Sequence, residues 1–195
     1  MDLFGLHPHS PKIADYLTSL SAPTPEIKSY PDAVYFNYFS IGLSLMFKPT
    51  PGLNNNLSLD SIYIYNVKGT SSRSAERAFA TYPKFPLVLD IDSSLKDKDG
   101  KLLSRPEQLQ VGGDTSGKDF VQALGEPDRK GGGAGPSSGS IGIWCEWSKD
   151  GIMVEFGGDE AIGPQAWERG KDAIWKIITL FPHEMIGLDT KYTTA

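Results

Sequence analysis

Tyr35-Phe36-Asn37-Tyr38-Phe39-Ser40-Ile41-Gly42-Leu43-Ser44-Leu45-Met46-Phe47 reads as two alternating strands around a glycine turn. Trp144-Cys145-Glu146-Trp147-Ser148-Lys149-Asp150-Gly151-Ile152-Met153-Val154-Glu155-Phe156 gives the same reading roughly a hundred residues later, and a fixed internal period is the mark of repeated supersecondary units. Leu43, Leu45 and Phe47 alternate with Ser44 and Met46, and Ile152, Val154 and Phe156 alternate with Met153 and Glu155, which is the period of a strand with one buried face. Gly42 and Gly151 take the same place before those strands, and Asp150-Gly151 readily supplies the positive φ of a tight turn.

Outward from each hairpin the resemblance continues. Ile13-Ala14-Asp15-Tyr16-Leu17-Thr18-Ser19-Leu20 stops at Pro23, and Lys118-Asp119-Phe120-Val121-Gln122-Ala123-Leu124 stops at Pro127, with Asp15 and Asp119 equally far before Leu20 and Leu124. Tyr16, Leu17 and Leu20, like Phe120, Val121 and Leu124, predict an apolar stripe on a short helix. Ser10 before Pro11, and Asp114-Thr115-Ser116, are the expected capping contexts. Ser61-Ile62-Tyr63-Ile64-Tyr65-Asn66 predicts a further strand, matched by Trp175-Lys176-Ile177-Ile178-Thr179-Leu180-Phe181, and Phe85-Pro86-Leu87-Val88-Leu89 predicts a connecting one. The expected fold is therefore α+β: two tandem helix-then-antiparallel-strand repeats packed as one unit, with short helices covering one face of the sheet. Residues 1–92 hold the first repeat and connecting strand, 93–113 a polar linker, 114–182 the second repeat and 183–195 a tail, while the glycine-rich run 130–140 reads as a flexible loop.

At 195 residues and 39% hydrophobic the chain can bury a core. Its 19 basic and 24 acidic residues, net charge −5, argue against a nucleic-acid backbone binder, which needs a basic surface. One cysteine, Cys145, allows no internal disulfide and reads as a core residue of a protein in a reducing compartment. The amino terminus lacks the pattern of a secretory signal and no run reaches membrane-spanning length, so a cytoplasmic protein is expected.

Several segments imitate catalytic motifs. Leu89-Asp90-Ile91-Asp92 looks like the paired aspartates of haloacid-dehalogenase phosphatases but lacks the parallel α/β context and a later acid pair. Gly157-Gly158-Asp159-Glu160 spells most of a diguanylate-cyclase signature, yet Ala161 replaces its phenylalanine and its place predicts a turn leaving a strand. Asp97-Lys98-Asp99-Gly100 is similar to a calcium loop, but alignment on Gly100 puts Leu95 and Pro106 at essential ligand positions; it predicts a hairpin turn. The triple glycine at 131–133 follows a helix, the reverse of a phosphate-binding loop, and His7, His9 and His183 have no metal-site spacing with Cys145. No cofactor, metal or catalytic residue is expected.

Strand parity nominates a surface instead. With Leu43, Leu45 and Phe47 inward, Phe36 and Tyr38 face one way and Tyr35 with Asn37 the other; Cys145 and Trp147 are likewise set against Trp144 and Glu146. Tyr35, Asn37, Trp144 and Glu146 are the expected partner-binding residues, on the face better suited to solvent, where Tyr35 and Trp144 are either exposed aromatics or covered by a loop or the other repeat.

The order of a helix ending Leu-x-x-Pro, the Phe36-Asn37-Tyr38-Phe39-x-x-Gly42 hairpin, the strand Ser61 to Asn66, Lys84-Phe85-Pro86-Leu87, a helix ending Leu124-Gly125-Glu126-Pro127 and the closing Ile177-Ile178-Thr179-Leu180-Phe181-Pro182 resembles the carboxy-terminal half of the phagosome assembly factor 1 family. That resemblance implies a non-enzymatic adaptor that partners a β-propeller protein and is recruited indirectly to the forming autophagosome membrane. The family's amino-terminal half has no counterpart in these residues. The helix-then-strands unit also looks like the outer-membrane-assembly lipoprotein and β-lactamase-inhibitor type of fold, itself used for protein binding. The alternative from another class is a small ligand-binding protein or enzyme with a pocket between the repeats, lined by acids such as Asp90, Asp92, Asp159 and Glu160.

Overall fold

The computed structural model describes residues 3–50, 56–67, 79–96, 99–133 and 142–182. Helix α1 spans Pro11–Ser19, with Ser10 as N-cap: its hydroxyl accepts the Ile13 N–H at 3.4 Å, and Pro11 sits where a missing N–H costs nothing. Helix α2 spans Gly117–Leu124. Its entry is held by Asp119, whose carboxylate accepts both the backbone N–H and the hydroxyl of Ser116 at 2.8 Å. Those two bonds hold the Asp119 carboxyl below the usual range. Because its folded pKa lies under its unfolded one, the stabilisation is complete above about pH 4 and lost as pH falls through the folded value. Asp119→Ala is expected to cost about 1 kcal/mol near neutral pH, with the gap from the parent narrowing in acid, as read by urea titrations across pH.

The strands are β1 Glu26–Ser29, β2 Val34–Tyr38, β3 Leu43–Pro49, β4 Leu57–Tyr65, β5 Leu87–Asp90, β6 Gln108–Val111, β7 Arg129–Gly131, β8 Trp144–Trp147, β9 Ile152–Phe156 and β10 Trp175–Leu180. Eight form one antiparallel sheet in the order β1-β2-β3-β4-β10-β9-β8-β7, while β5 and β6 make a separate hairpin. The fold is mixed α+β and dominated by sheet. Each half of the large sheet is a four-strand meander preceded by a helix, and the halves join where β4 pairs with β10. Both hairpins turn through one 3-10 turn, Phe39–Ile41 and Ser148–Asp150, closed by Gly42 at φ 56° and Gly151 at φ 66°. Only glycine takes that conformation without steric cost.

Leu43, Leu45, Phe47, Ile152, Val154 and Phe156 are all buried as predicted, and β9 alternates, but in β3 Ser44 and Met46 on the opposite face are buried as well, so that strand is covered on both sides. Two bulges then interrupt the period. The β3–β4 register shifts past Asp60, and the β9–β10 register shifts past Lys176, so that Leu59 with Ile62, and Trp175 with Ile178, all point into one core. That core is closed by Ile13 and Leu20 from α1, Phe120 and Leu124 from α2, and Leu89 and Val111 from the β5–β6 hairpin. A third helix, α3 (Ala166–Arg169), seats Ala166 on the same core.

Three local features differ from the sequence reading and one agrees with it. Val121 belongs to the predicted apolar stripe of α2, but Phe120 and Leu124 take the core and Val121 remains 37% exposed. The stretch read as a polar linker, 93–113, carries strand β6 and sends Arg105 into the interior. Arg129 to Gly131, partly read as loop, pairs with β8 as an edge strand; the rest of that loop, 134–141, lies outside the described residues, as does the tail. The Asp99-Gly100 turn is bracketed by an antiparallel bridge between Lys96 and Leu102, the hairpin expected there.

Candidate functional site

Helices α1, α2 and α3 and the β5–β6 hairpin all join the core on one side of the large sheet. No helix or strand among the described residues crosses the other side. On it, one cross-strand row runs through all eight strands: Glu26, Asn37, Ser44, Tyr63, Thr179, Met153, Glu146 and Arg129, each facing the next. A second row of Tyr65, Ile177, Glu155, Trp144 and Gly131 runs beside it.

Tyr35, Asn37, Trp144 and Glu146 therefore project from one face of one sheet, the first pair on β2 and the second on β8. Five strand spacings separate those strands, about 24 Å. Their exposure differs from one residue to the next. Asn37 is buried, its Oδ1 accepting the Ser44 hydroxyl at 2.8 Å. Tyr35 and Trp144 are half-buried rather than open: Tyr35 packs edge-on against Tyr30 at 5.8 Å, and the indole of Trp144 lies over Gly131. A Cβ at position 131 would come within 2.7 Å of that ring, so the edge strand needs glycine there. Glu146 accepts from Arg129 at 3.3 Å and from Ser148 at 2.7 Å.

Aromatic rings and methionines fill the spaces between. Tyr63 lies 6.2 Å from Tyr35, and Tyr65 stacks at 3.8 Å on Phe79, which also meets Phe39 at 4.5 Å. Burial pushes the Tyr63 hydroxyl up to about 12 and that of Tyr65 higher still, so both are neutral hydrogen-bonding groups. Met46, Met153, Lys48, Asp60, Arg129 and Glu146 line a groove of ≈ 490 Å³ that crosses from one half to the other. The charges there are paired, Lys48 with Asp60 at 3.0 Å and Arg129 with Glu146.

Glu155 is the exception. It stands between Ile177 and Trp144, and has no ion-pair partner within 4 Å among the described residues. Burial holds its carboxyl above the usual range, opposed by the charge of Lys176.

Sequence reasoning did not nominate Tyr63, Tyr65, Met46, Met153, Glu155 or Arg129. For the first five the signal was present, since each alternates with a core residue of its own strand. Arg129 carried none, because a three-residue edge strand has no period to read.

The acids suggested as a catalytic cluster do not meet. Asp90 is exposed and accepts from Gln108 at 3.0 Å, while Asp92 accepts the Ser94 N–H at 2.8 Å and its own N–H reaches Asp150 just before β9. Asp159 and Glu160 are exposed in a 3-10 turn beyond the other end of β9. Among the described residues no group of three His, Cys, Asp or Glu side chains could hold a metal ion. His183 lies outside them.

No family model, curated protein or solved structure matches this chain. Function must be argued from the geometry itself. No helix among the described residues is long and apolar enough to cross a membrane.

Proposed function

We propose that this protein is a non-enzymatic protein-interaction module whose sheet face opposite α1, α2 and α3 docks a partner through a basic side chain set among apolar residues. The observation that carries this reading is Glu155: a half-buried carboxylate without an ion pair among the described residues, flanked by Trp144, Ile177 and Tyr65 on a face rich in the Tyr, Trp and Met that interfaces favour. Leaving an acid in such a place costs stability, and a partner cation would recover it. The other charges of the face are already paired with each other, which leaves Glu155 to select the sign of the partner.

The face is continuous because, in this reading, the chain is a duplicated unit whose two copies join edge to edge. Each half runs helix, strand, strand, 3-10 turn, left-handed glycine, strand, strand, with further short helical turns before the last strand of the second half. The residues opening the two 3-10 turns, Tyr38 and Trp147, share backbone angles of φ −105°, ψ 73° and φ −111°, ψ 84°. The pairing of β4 with β10 sets equivalent strands side by side, as an internal two-fold requires. The resemblance to the phagosome assembly factor 1 family supports an adaptor role and names a β-propeller protein as the first partner to try.

The test is affinity for a purified β-propeller partner recovered from the protein's own cells. Trp144→Ala and Glu155→Lys are each expected to weaken binding at least tenfold, about 1.4 kcal/mol, while the charge reversal Lys171→Glu on the covered side leaves it within about twofold. Equal affinity of all variants would reject the face. Glu155→Gln, by removing a poorly solvated charge, is expected to raise unfolding stability by about half a kcal/mol near neutral pH even as it weakens the complex.

A further inference from the structure

On the covered side, α2, α3 and the β7–β8 edge leave a cavity of ≈ 660 Å³, within the size range of small-molecule sites. Its lining has two chemistries. Ile143, Cys145 and Phe156 are buried and apolar, while Val121 and Trp167 add walls that stay 37% and 45% exposed. Burial pushes the Cys145 thiol up to about 11, so it is an uncharged part of that lining.

Three cations line the same cavity: Lys118, Lys130 and Lys171, against one acid, Glu126. Lys118 and Lys171 are held together by a backbone hydrogen bond from the Lys118 N–H to the Lys171 carbonyl at 2.8 Å. Lys130 lies with its Nζ 5.5 Å from the centre of the Trp167 ring. None of the three has an ion-pair partner among the described residues, in a chain whose net charge is −5. Three cations against one acid leave the cavity net positive, and an anion seated among the lysines would relieve their mutual repulsion.

We propose that this cavity binds a small amphipathic monoanion, its apolar body lying between Val121, Trp167 and Phe156 and its single carboxylate held by Lys118, Lys130 and Lys171. The inference is independent of the sheet-face docking, since it uses the opposite side of the sheet. A flexible alkyl chain and a fused aromatic ring both fit the shared chemistry.

The experiment uses the full chain and four probes by titration calorimetry: decanoate, 2-naphthoate, decan-1-ol and decylammonium. At least one acid is expected to bind, with the alcohol and the ammonium each at least tenfold weaker; decanoate alone would assign a flexible body, naphthoate alone an aromatic one. The Lys118→Glu/Lys130→Glu variant, altered only at exposed positions, should lose at least tenfold in affinity for the acid while affinity for the alcohol is unchanged. Trp167→Ala should weaken the acid and the alcohol alike. Since Cys145 is the one cysteine of the chain, its alkylation rate locates the ligand: saturating acid should slow it at least threefold. Equal affinity for acid and alcohol, no binding of either acid, an unaffected charge-reversal variant or an unchanged Cys145 rate would overturn the assignment.

Discussion

Asp150→Ala is expected to destabilise the protein by about 3–5 kcal/mol, the cost of leaving a buried charge without its partner. Asp150 lies in the 3-10 turn between β8 and β9 and is ion-paired with Arg105 Nη2, with both side chains almost fully buried. The guanidinium also donates to the Asp92 carbonyl at 3.1 Å, and Asp150 accepts the Asp92 N–H at 3.3 Å. One pair thus fastens the chain on both sides of the Asp99-Gly100 turn to the second hairpin of the sheet. Arg105→Met should cost a similar amount, because Asp150 is then stranded. The double variant Arg105→Met/Asp150→Leu should recover most of the loss, since exchanging a buried ion pair for apolar groups of similar volume is often neutral or better. Denaturant titrations of the four proteins check this. Additive losses in the double variant would mean that the packing around the pair, not its charge, is what matters.

Trp175→Ala is expected to cost about 3–5 kcal/mol by opening a large cavity where the halves of the sheet meet. Trp175 is 1% exposed at the bulged start of β10, packs edge-on against Phe85 at 5.9 Å, and donates from Nε1 to the Gly112 carbonyl at 2.7 Å. Asn66 completes the junction, its amide donating to the Trp175 carbonyl at 3.0 Å and to the Gly113 carbonyl at 2.9 Å. Trp175→Phe separates the two contributions. It keeps most of the volume but removes the indole bond and leaves the Gly112 carbonyl only the Thr115 N–H at 3.4 Å, so about 1 kcal/mol should still be lost. Thermal unfolding followed by near-ultraviolet circular dichroism gives the measurement, and equal stability of the phenylalanine variant and the parent would show the indole hydrogen bond to be dispensable.

Much of the large sheet was legible before any coordinates, because period and turn chemistry are local. Leu43, Leu45 and Phe47, and Ile152, Val154 and Phe156, declare the core face by their period, though β3 is buried on its other face too, and Gly42 and Gly151 declare turns because few other residues tolerate their φ. The parity of Tyr35 with Asn37, and of Trp144 with Glu146, follows from the same period and places all four on one face. Their degree of exposure did not follow. Asn37 is buried beside Ser44, Trp144 is half-buried over Gly131, and both depend on which strand lies alongside.

The sequence by itself determined the two helices, their caps, the inward residues of the long strands and the net charge of −5. Those features are written within a few residues of one another, where chain entropy is small and side-chain period decides. Tertiary structure alone decided the rest. Edge strands β1 and β7 are short and polar, and become strands only because β2 and β8 offer them hydrogen bonds. The bulges at Asp60 and Lys176 exist because Leu59 and Trp175 gain more by entering the core than an unbroken ladder would return. Arg105 finds Asp150 across 45 residues, and Lys118, Lys130 and Lys171 gather around one cavity from three separate segments. No local pattern encodes such meetings: they follow from which faces the packed chain brings together.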